Sequence, residues 1–394
     1  MVSFDFFLIS LSGVVKAAYE WSWLVAPFIL GFIAWKVWVF YVNADFLAKM
    51  EFAVIEIKLP REIRRSPLAM ELVLNAMHQT GGTATWVDRY WNGKVRVFFS
   101  LEIASIDGRV HFFIRTPVGF KNAIESYIYA QYPESEISEI PDYAEKIPYT
   151  KNGQYVLWGT EYKFTKPDPY PVKTYVDYGM DKSAKEEERI DPITPTIELM
   201  GSMQKGEQMW LQIIIRATTQ EWKDLGKKEI EKIKSEKFNK EKDEKFNENM
   251  LTKAEKETIT AIERSIDKIG FDAGIRAIYI AEKDAFRGTN IPAVINILKQ
   301  YNSNNLNGFR LARPTGVEYP WQDFKGIRAG AKKMKMFDLY LKRSFFYPPD
   351  SRTPIILCSE ELATMYHFPG GVSETPSFGR IESKKSEPPV NLPI

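Results

Sequence analysis

Cys358 and His367 are the one pairing of a thiol with an imidazole that the sequence offers, since it holds a single cysteine and three histidines. A cysteine nucleophile with a histidine base would be their chemistry. Cys358, however, closes the apolar run IILC, where a cysteine ordinarily serves as a small buried hydrophobe. No catalytic role is assigned to it. The other histidines, His78 and His111, read as finishing a helix and a strand surface rather than binding metal. One cysteine excludes a disulfide framework and a Cys-rich zinc or iron–sulfur site. GIRAGAKKMK (326–335) has the glycines and lysines of a phosphate loop without its spacing or its preceding strand. Dinucleotide-binding, zinc-protease, calcium-loop and nucleophile-elbow motifs are missing as well. The expectation is a protein that is not an enzyme, with no catalytic residue, cofactor or metal.

One local charge asymmetry remains. Lys325, Arg328, Lys332, Lys333, Lys335, Lys342 and Arg343 face a lone Asp338 along a segment that reads as a helix over 324–346. Clustered Lys and Arg on one face can contact phosphate. Three readings stay open: a solvated face, contact with anionic lipid headgroups, and contact with DNA or an acidic partner.

The elements that would position these residues follow from an uneven composition. The 394 residues carry 53 Lys+Arg against 51 Asp+Glu and are 44% hydrophobic, so the chain can bury a core and is not a basic nucleic-acid coat. The apolar residues are concentrated in Trp21 to Val42, where Lys36 is the only charge. About 20 such residues span a bilayer. Trp21 and Trp23 mark one end and Trp35, Trp38 and Tyr41 the other, as aromatic rings at the headgroup level, with Lys36 able to snorkel outward. A cleaved signal peptide fits poorly, because the first fifteen residues hold no Lys or Arg. A retained helix over 21–43 is expected, preceded by an interfacial or helix-extending segment over 1–20. Lys49, Lys58, Arg61, Arg64 and Arg65 follow the span against Lys16 before it, which predicts a single-pass inner-membrane protein with the bulk of its chain cytoplasmic.

From Glu51 the pattern changes. EFAVIEIKL alternates as a strand, and Ser66-Pro67 opens a helix. A hairpin turns at Asp107-Gly108, Thr116-Pro117 opens a second helix, and SEISEI ends the unit. The order β-α-β-β-α-β is that of the split βαβ, or ferredoxin-like, pattern. It recurs with helices started at Thr194-Pro195 and Ile291-Pro292, around a Lys/Glu-rich insertion over 220–269 that reads as a helical hairpin with a tip near 238–250. The fold class is therefore α+β: a transmembrane helix, then tandem ferredoxin-like domains over 51–145 and 150–312. A basic helix with an αβ element (313–368) and a Pro-rich extended tail (369–394) follow.

RTPVGFKNAIESYIYAQYPESEI (115–137), GEQMWLQIIIRAT (206–218) and the segment 357–393 resemble the membrane-anchored, non-ATPase region of HerA/coupling-protein-like ATPases of type IV secretion and conjugation systems, notably those of small-genome candidate-phylum bacteria. The last motif is the most specific, with Thr375, Pro376, Arg380, Lys384, Lys385, Pro388 and Pro389 as a possible partner-binding tail. Longer relatives continue from such a tail into the ATPase; this sequence holds no Walker motif up to Ile394, so ATP hydrolysis is not carried over. The resemblance implies a non-enzymatic scaffold of a translocation apparatus, docking a motor ATPase supplied by another chain, or a substrate. The sheet edges of a split βαβ fold suit self-association, so a homo-oligomer is expected. The alternative is a membrane-tethered nucleic-acid-binding protein using the 325–343 helix.

Overall fold

A computed structural model of the chain describes residues 2–59, 65–81, 85–151, 153–181, 190–218, 222–238, 251–317 and 319–370. Arg61 and Arg64, the tip of the insertion and the tail residues Thr375, Pro376, Arg380, Lys384, Lys385, Pro388 and Pro389 lie outside them. The described residues form two compact units, one drawn from 1–50, 82–95 and 347–349 and the other from 51–81, 96–346 and 350–394.

The chain begins with α1 (Val2–Lys49), a single helix of 48 residues that includes Pro27. Within it, the 27 residues Trp23–Lys49 are long and apolar enough to cross a membrane, and none of their most apolar stretch is buried. The helix includes residues 2–20, for which an interfacial or helix-extending segment was expected.

Next come β1 (Phe52–Lys58), α2 (Leu68–Ala76), α3 (Trp86–Tyr90), β2 (Phe98–Ile106), β3 (Arg109–Pro117), α4 (Lys121–Gln131) and β4 (Glu136–Ile140). Ser66 Oγ accepts from the Leu68 amide at the start of α2, where Pro67 has no amide hydrogen to leave unsatisfied. Asp107 and Gly108 turn between β2 and β3 with φ of 53° and 80°. Two successive positive φ angles are what a two-residue hairpin matched to the sheet's twist requires.

The second stretch contains β5 (Tyr155–Phe164), α5 (Thr194–Gly201), β6 (Glu207–Ala217), α6 (Trp222–Phe238), α7 (Lys253–Asp267), β7 (Gly270–Glu282), α8 (Asn290–Ile295) and β8 (Phe309–Leu311). It closes with α9 (Ile327–Leu341), β9 (Ile355–Cys358) and α10 (Ser359–Met365). The basic helix is shorter than the expected 324–346. Lys325 and Gly326 precede it with φ of 52° and 71°, and Arg343 follows it with φ of 48°. A right-handed helix cannot pass through such residues.

The strands make one antiparallel sheet in the order β4-β1-β3-β2-β6-β7-β5-β8, with β9 paired to β7 beyond the end of β5. The junction of its two halves is the long register between β2 and β6, from Phe98 opposite Arg216 to Ile106 opposite Gln208. Because side chains alternate across a strand, β7 divides its apolar residues between two faces. Ile275, Ala277 and Tyr279 join one core with Met70 and Val73 of α2, Ile128 of α4, Ile197 of α5 and Leu362 of α10. Ile278 and Ile280 join a second core with Trp210, Tyr143 and Met336, Phe337 and Tyr340 of α9. Strands buried on both faces read as nearly continuous apolar runs, which is how β6 and β7 appear in the sequence.

The charged insertion forms the expected helical pair, and its apolar stripe is docked rather than solvated. Trp222, Ile230, Ile259, Ile262 and Ile266 pack with Ile356 and Cys358 of β9. Gly226 lets α6 approach α7 closely, since a Cβ there would stand 2.2 Å from Ile266 Cγ2.

Candidate functional site

Four strands place one polar residue each in a single row of the sheet. Glu102 lies opposite Gln212, Gln212 opposite Arg276, and Arg276 opposite Glu161. All four are buried. Their side chains form a continuous ladder. Gln212 Nε2 donates to Glu102 Oε1 at 3.0 Å, Arg276 Nη1 to Gln212 Oε1 at 3.1 Å, and Arg276 Nη2 to Glu161 Oε1 at 3.0 Å. The end of α9 and the residues after it supply the remaining acceptors: the carbonyls of Leu339 and Ser344 accept from Arg276, and that of Tyr340 from Gln212.

Arg343 locks the Glu102 end. Its Nε and Nη2 donate to the two oxygens of Glu102 at 2.9 and 3.0 Å, and it also pairs with Asp142. Ser100 and Tyr143 hydroxyls donate to Glu102 as well. Burial opposes the charge of Glu102, but the Arg343 guanidinium outweighs it and holds the carboxyl at about 2. Burial likewise disfavours the Arg343 charge; Glu102 and Asp142 reverse that and raise its pKa well above the usual arginine value. Arg343 is therefore removed from the expected set of phosphate, lipid or DNA contacts, because its guanidinium is fully consumed inside the protein. A Glu102–Arg115 pair, which their neighbouring strands suggest, does not organise the site; the Arg115 guanidinium lies 3.8 Å from the centroid of the Phe52 ring.

The Glu161 end opens into a cleft of about 390 Å³. Arg313 Nη1 reaches Glu161 Oε2 at 3.3 Å, and Arg352 lies 3.8 Å from the same oxygen. Lys332 and Lys335 of α9 line the opposite wall, with Lys335 3.2 Å from Asp350, which also pairs with Arg352. Arg276, Arg313 and Arg352 thus share Glu161, Arg352 and Lys335 share Asp350, and Lys332 donates to the Gly316 carbonyl. Such an excess can hold an anionic group.

The remaining basic residues scatter. Lys342 turns back to Asp338 at 2.8 Å, Lys333 is half-buried and its charge disfavoured by desolvation, and Lys325 and Arg328 are exposed before and in the first turn of α9. Beside Lys325 and Arg328 stand Trp321 and Phe324, 78% and 75% exposed, with Tyr319 stacked on Trp321 at 4.5 Å. These aromatic residues stand immediately before the two basic ones in the chain. Arg313, Arg352, Gln212, Arg276 and Glu161 carry no motif. Their only sequence signal is a polar residue within a largely apolar strand, or an arginine in a loop.

Cys358 and His367 do not form a pair. His367 bonds the Ala363 carbonyl and Asp191, while the Cys358 thiol is buried and pushed well above its usual range by desolvation and by Glu361 and Glu360. His78 meets the Gly270 carbonyl and His111 meets Glu56. Among the described residues no group of three or more His, Cys, Asp or Glu is arranged to hold a metal ion.

The expected membrane anchors are all on α1. Trp21, Trp23, Trp35, Trp38 and Tyr41 are exposed, and Lys36 Nζ lies 5.3 Å from the centroid of the Phe32 ring.

These features define an α+β protein with a large antiparallel sheet and one N-terminal helix apolar enough to span a membrane. The chain belongs to the family described as Domain of unknown function (DUF8128), whose model matches residues 52–376. No curated protein matches it.

Proposed function

We propose that the protein is a membrane-anchored, non-enzymatic platform of a type IV secretion- or conjugation-like translocation apparatus, docking a motor ATPase or a substrate on the cytoplasmic face. The observation that carries this reading is the ladder: its buried charges, Glu102 with Arg343 and Arg276 with Glu161, are compensated by one another and serve rigidity. Strand orders β4-β1-β3-β2 and β6-β7-β5-β8 support two ferredoxin-like units, each with the same internal arrangement, fused along β2 and β6. That fusion leaves β4 and β8 as the edges on which further copies could pair. The membrane-anchored reading is supported by the apolar Trp23–Lys49 stretch. The platform reading is supported by the resemblance of 115–137, 206–218 and 357–393 to the non-ATPase region of HerA/coupling-protein-like ATPases.

The test is crosslinking in native membranes followed by purification of the full chain in detergent. Recovery of an ATPase or secretion component with a self-associated chain is expected; a solitary monomer would overturn the reading.

A second reading is favoured by one observation, the exposed Trp321 and Phe324 beside Lys325 and Arg328. Stacking platforms next to cations suit single-stranded nucleic acid. Titration of the full chain with labelled single-stranded DNA at two salt concentrations decides it. Binding that weakens steeply with salt and is lost in Lys325→Glu/Arg328→Glu supports nucleic-acid contact, and no binding at low salt eliminates it.

A further inference from the structure

The segment that follows α2 carries a cluster that the membrane reading of α1 leaves unexplained. Residues 85–95 (TWVDRYWNGKV) form α3 and a turn, and belong to the same compact unit as α1. Thr85 caps the helix by accepting from the Asp88 amide at 3.1 Å. Its aromatic residues pack on the second aromatic end of the span. Trp86 and Tyr90 lie 6.0 and 5.3 Å from Trp35, Trp91 lies 5.5 Å from Trp38, and Trp38 Nε1 donates to the Tyr90 carbonyl at 2.9 Å. Gly93 seals the contact at the backbone. Its φ is +64°, and a Cβ there would stand 2.1 Å from the Val42 carbonyl oxygen. The docking is therefore a built contact.

Yet the outward side of this element is apolar. Trp86, Val87 and Trp91 are 63%, 53% and 65% exposed. Two tryptophans and a valine left in water on one short helix and its cap are an unfavourable arrangement. The rings that hold them, Trp35 and Trp38, are those placed at the headgroup level by the span. Tryptophan favours that level because one end of the ring is apolar and the other donates a hydrogen bond. The charges of the segment suit the same zone. Asp88 is neutralised by Lys94 at 2.8 Å, and Arg89, whose guanidinium lies 5.8 Å from the centroid of the Tyr90 ring, is an exposed cation suited to lipid phosphate.

We propose that residues 85–94 are a second membrane-interface element, which seats Trp86, Val87 and Trp91 in the lipid headgroup region beside the Trp35–Tyr41 end of the span. The inference rests on the reading of α1 as a membrane span, and it makes the anchor a two-part device: a helix that crosses and a docked wedge that lies in the interface. The wedge fixes the depth and rotation of the helix, because its tryptophans occupy only a narrow layer of the bilayer.

The experiment uses the full chain in lipid nanodiscs of phosphatidylcholine and phosphatidylglycerol, with a bimane label on Val87→Cys and, separately, on Ile29→Cys. The buried Cys358 stays unlabelled in both. Quenching of the label at 29 by lipids spin-labelled in the acyl chain, and of the label at 87 by lipids spin-labelled at the headgroup, is the expected result. Adding Gly93→Ala should raise iodide access at 87 at least several-fold and leave the label at 29 unchanged. If 29 is quenched by lipid while 87 is quenched only by aqueous iodide, the wedge is refuted and the span stands. If neither label senses lipid, the span itself fails and the wedge with it. Quenching at 87 that is unaffected by lipid label position but abolished on dilution to monomers would assign the surface to a second copy of the chain and overturn the proposal.

Discussion

Arg343 closes a two-point contact with Glu102, 2.9 and 3.0 Å across, and neither side chain touches solvent. The two residues stand 241 positions apart in the chain. Their contact ties the second residue after α9 to the middle of β2, so the second sheet face cannot be uncovered without separating a buried charge pair.

Breaking that pair should therefore be costly. Glu102→Ala leaves Arg343 buried with only Asp142 as its anionic partner, and Arg343→Met leaves Glu102 with hydroxyl and amide donors alone. Each single change is expected to lower stability by about 3–5 kcal/mol, whereas the paired replacement Glu102→Leu/Arg343→Met should recover a large part of the loss. Denaturant titration of the full chain in detergent reads this. Equal losses in the double and single variants would show that the pair is not the coupling element.

The pH response has two signs. Glu102 is held at about 2, below the ordinary carboxylate value of 4.5, so its stabilisation is present above about pH 4.5 and is lost as pH falls toward 2. Glu361 is the reverse: burial pushes it up to about 7, although it accepts the amides of Cys358 and Val172. Its contribution is full below pH 4.5 and lost as pH rises through 7. Melting temperature against pH should fall between 4.5 and 7 in the native chain and fall less in Glu361→Gln. Identical slopes would remove Glu361 as the titrating group.

Gly274 sits in β7 where the Phe345 ring covers the strand, and a Cβ there would stand 2.4 Å from that ring. Gly274→Ala should destabilise by about 1–3 kcal/mol through overpacking. Adding Phe345→Leu should relieve part of it. A neutral Gly274→Ala in thermal melts would mean that the ring moves aside freely.

Cys358 should resist thiol reagents in the folded chain, because it is buried and its thiol is held protonated. Reaction with an aromatic disulfide reagent is expected only on unfolding, and its rate should track the denaturation curve. Rapid reaction in the native protein would contradict the burial.

The cleft beside Glu161 makes a charge prediction. Lys332→Glu/Lys335→Glu should abolish any retention of inorganic pyrophosphate, used as a polyanion probe, while leaving the melting temperature within about 1 °C, as substitutions at partly exposed positions do. Calorimetric titration of both proteins checks it, and equal binding would move the anion elsewhere.

Much of the architecture is written locally. Ser66-Pro67, Asp107-Gly108 and Thr194-Pro195 mark starts and turns by backbone chemistry that acts within a few residues. The apolar run Trp21–Val42 needs only its own length to be recognised. The helical pair of the insertion was legible from its isoleucine spacing.

Tertiary structure decided what each charge does. Arg343 and Lys342 are neighbours in one basic run, yet one is buried on Glu102 and the other exposed beside Asp338. Lys342 caps the end of α9, whereas Arg343 has left the helix with φ of 48°. Glu102, Gln212, Arg276 and Glu161 become one ladder only because strand register sets them opposite one another, and register is a relation between segments that no single segment contains. Trp86 and Trp91 gained meaning in the same way. Their types suit a membrane interface, but only their packing against Trp35 and Trp38 connects them to the helix that reads as the span.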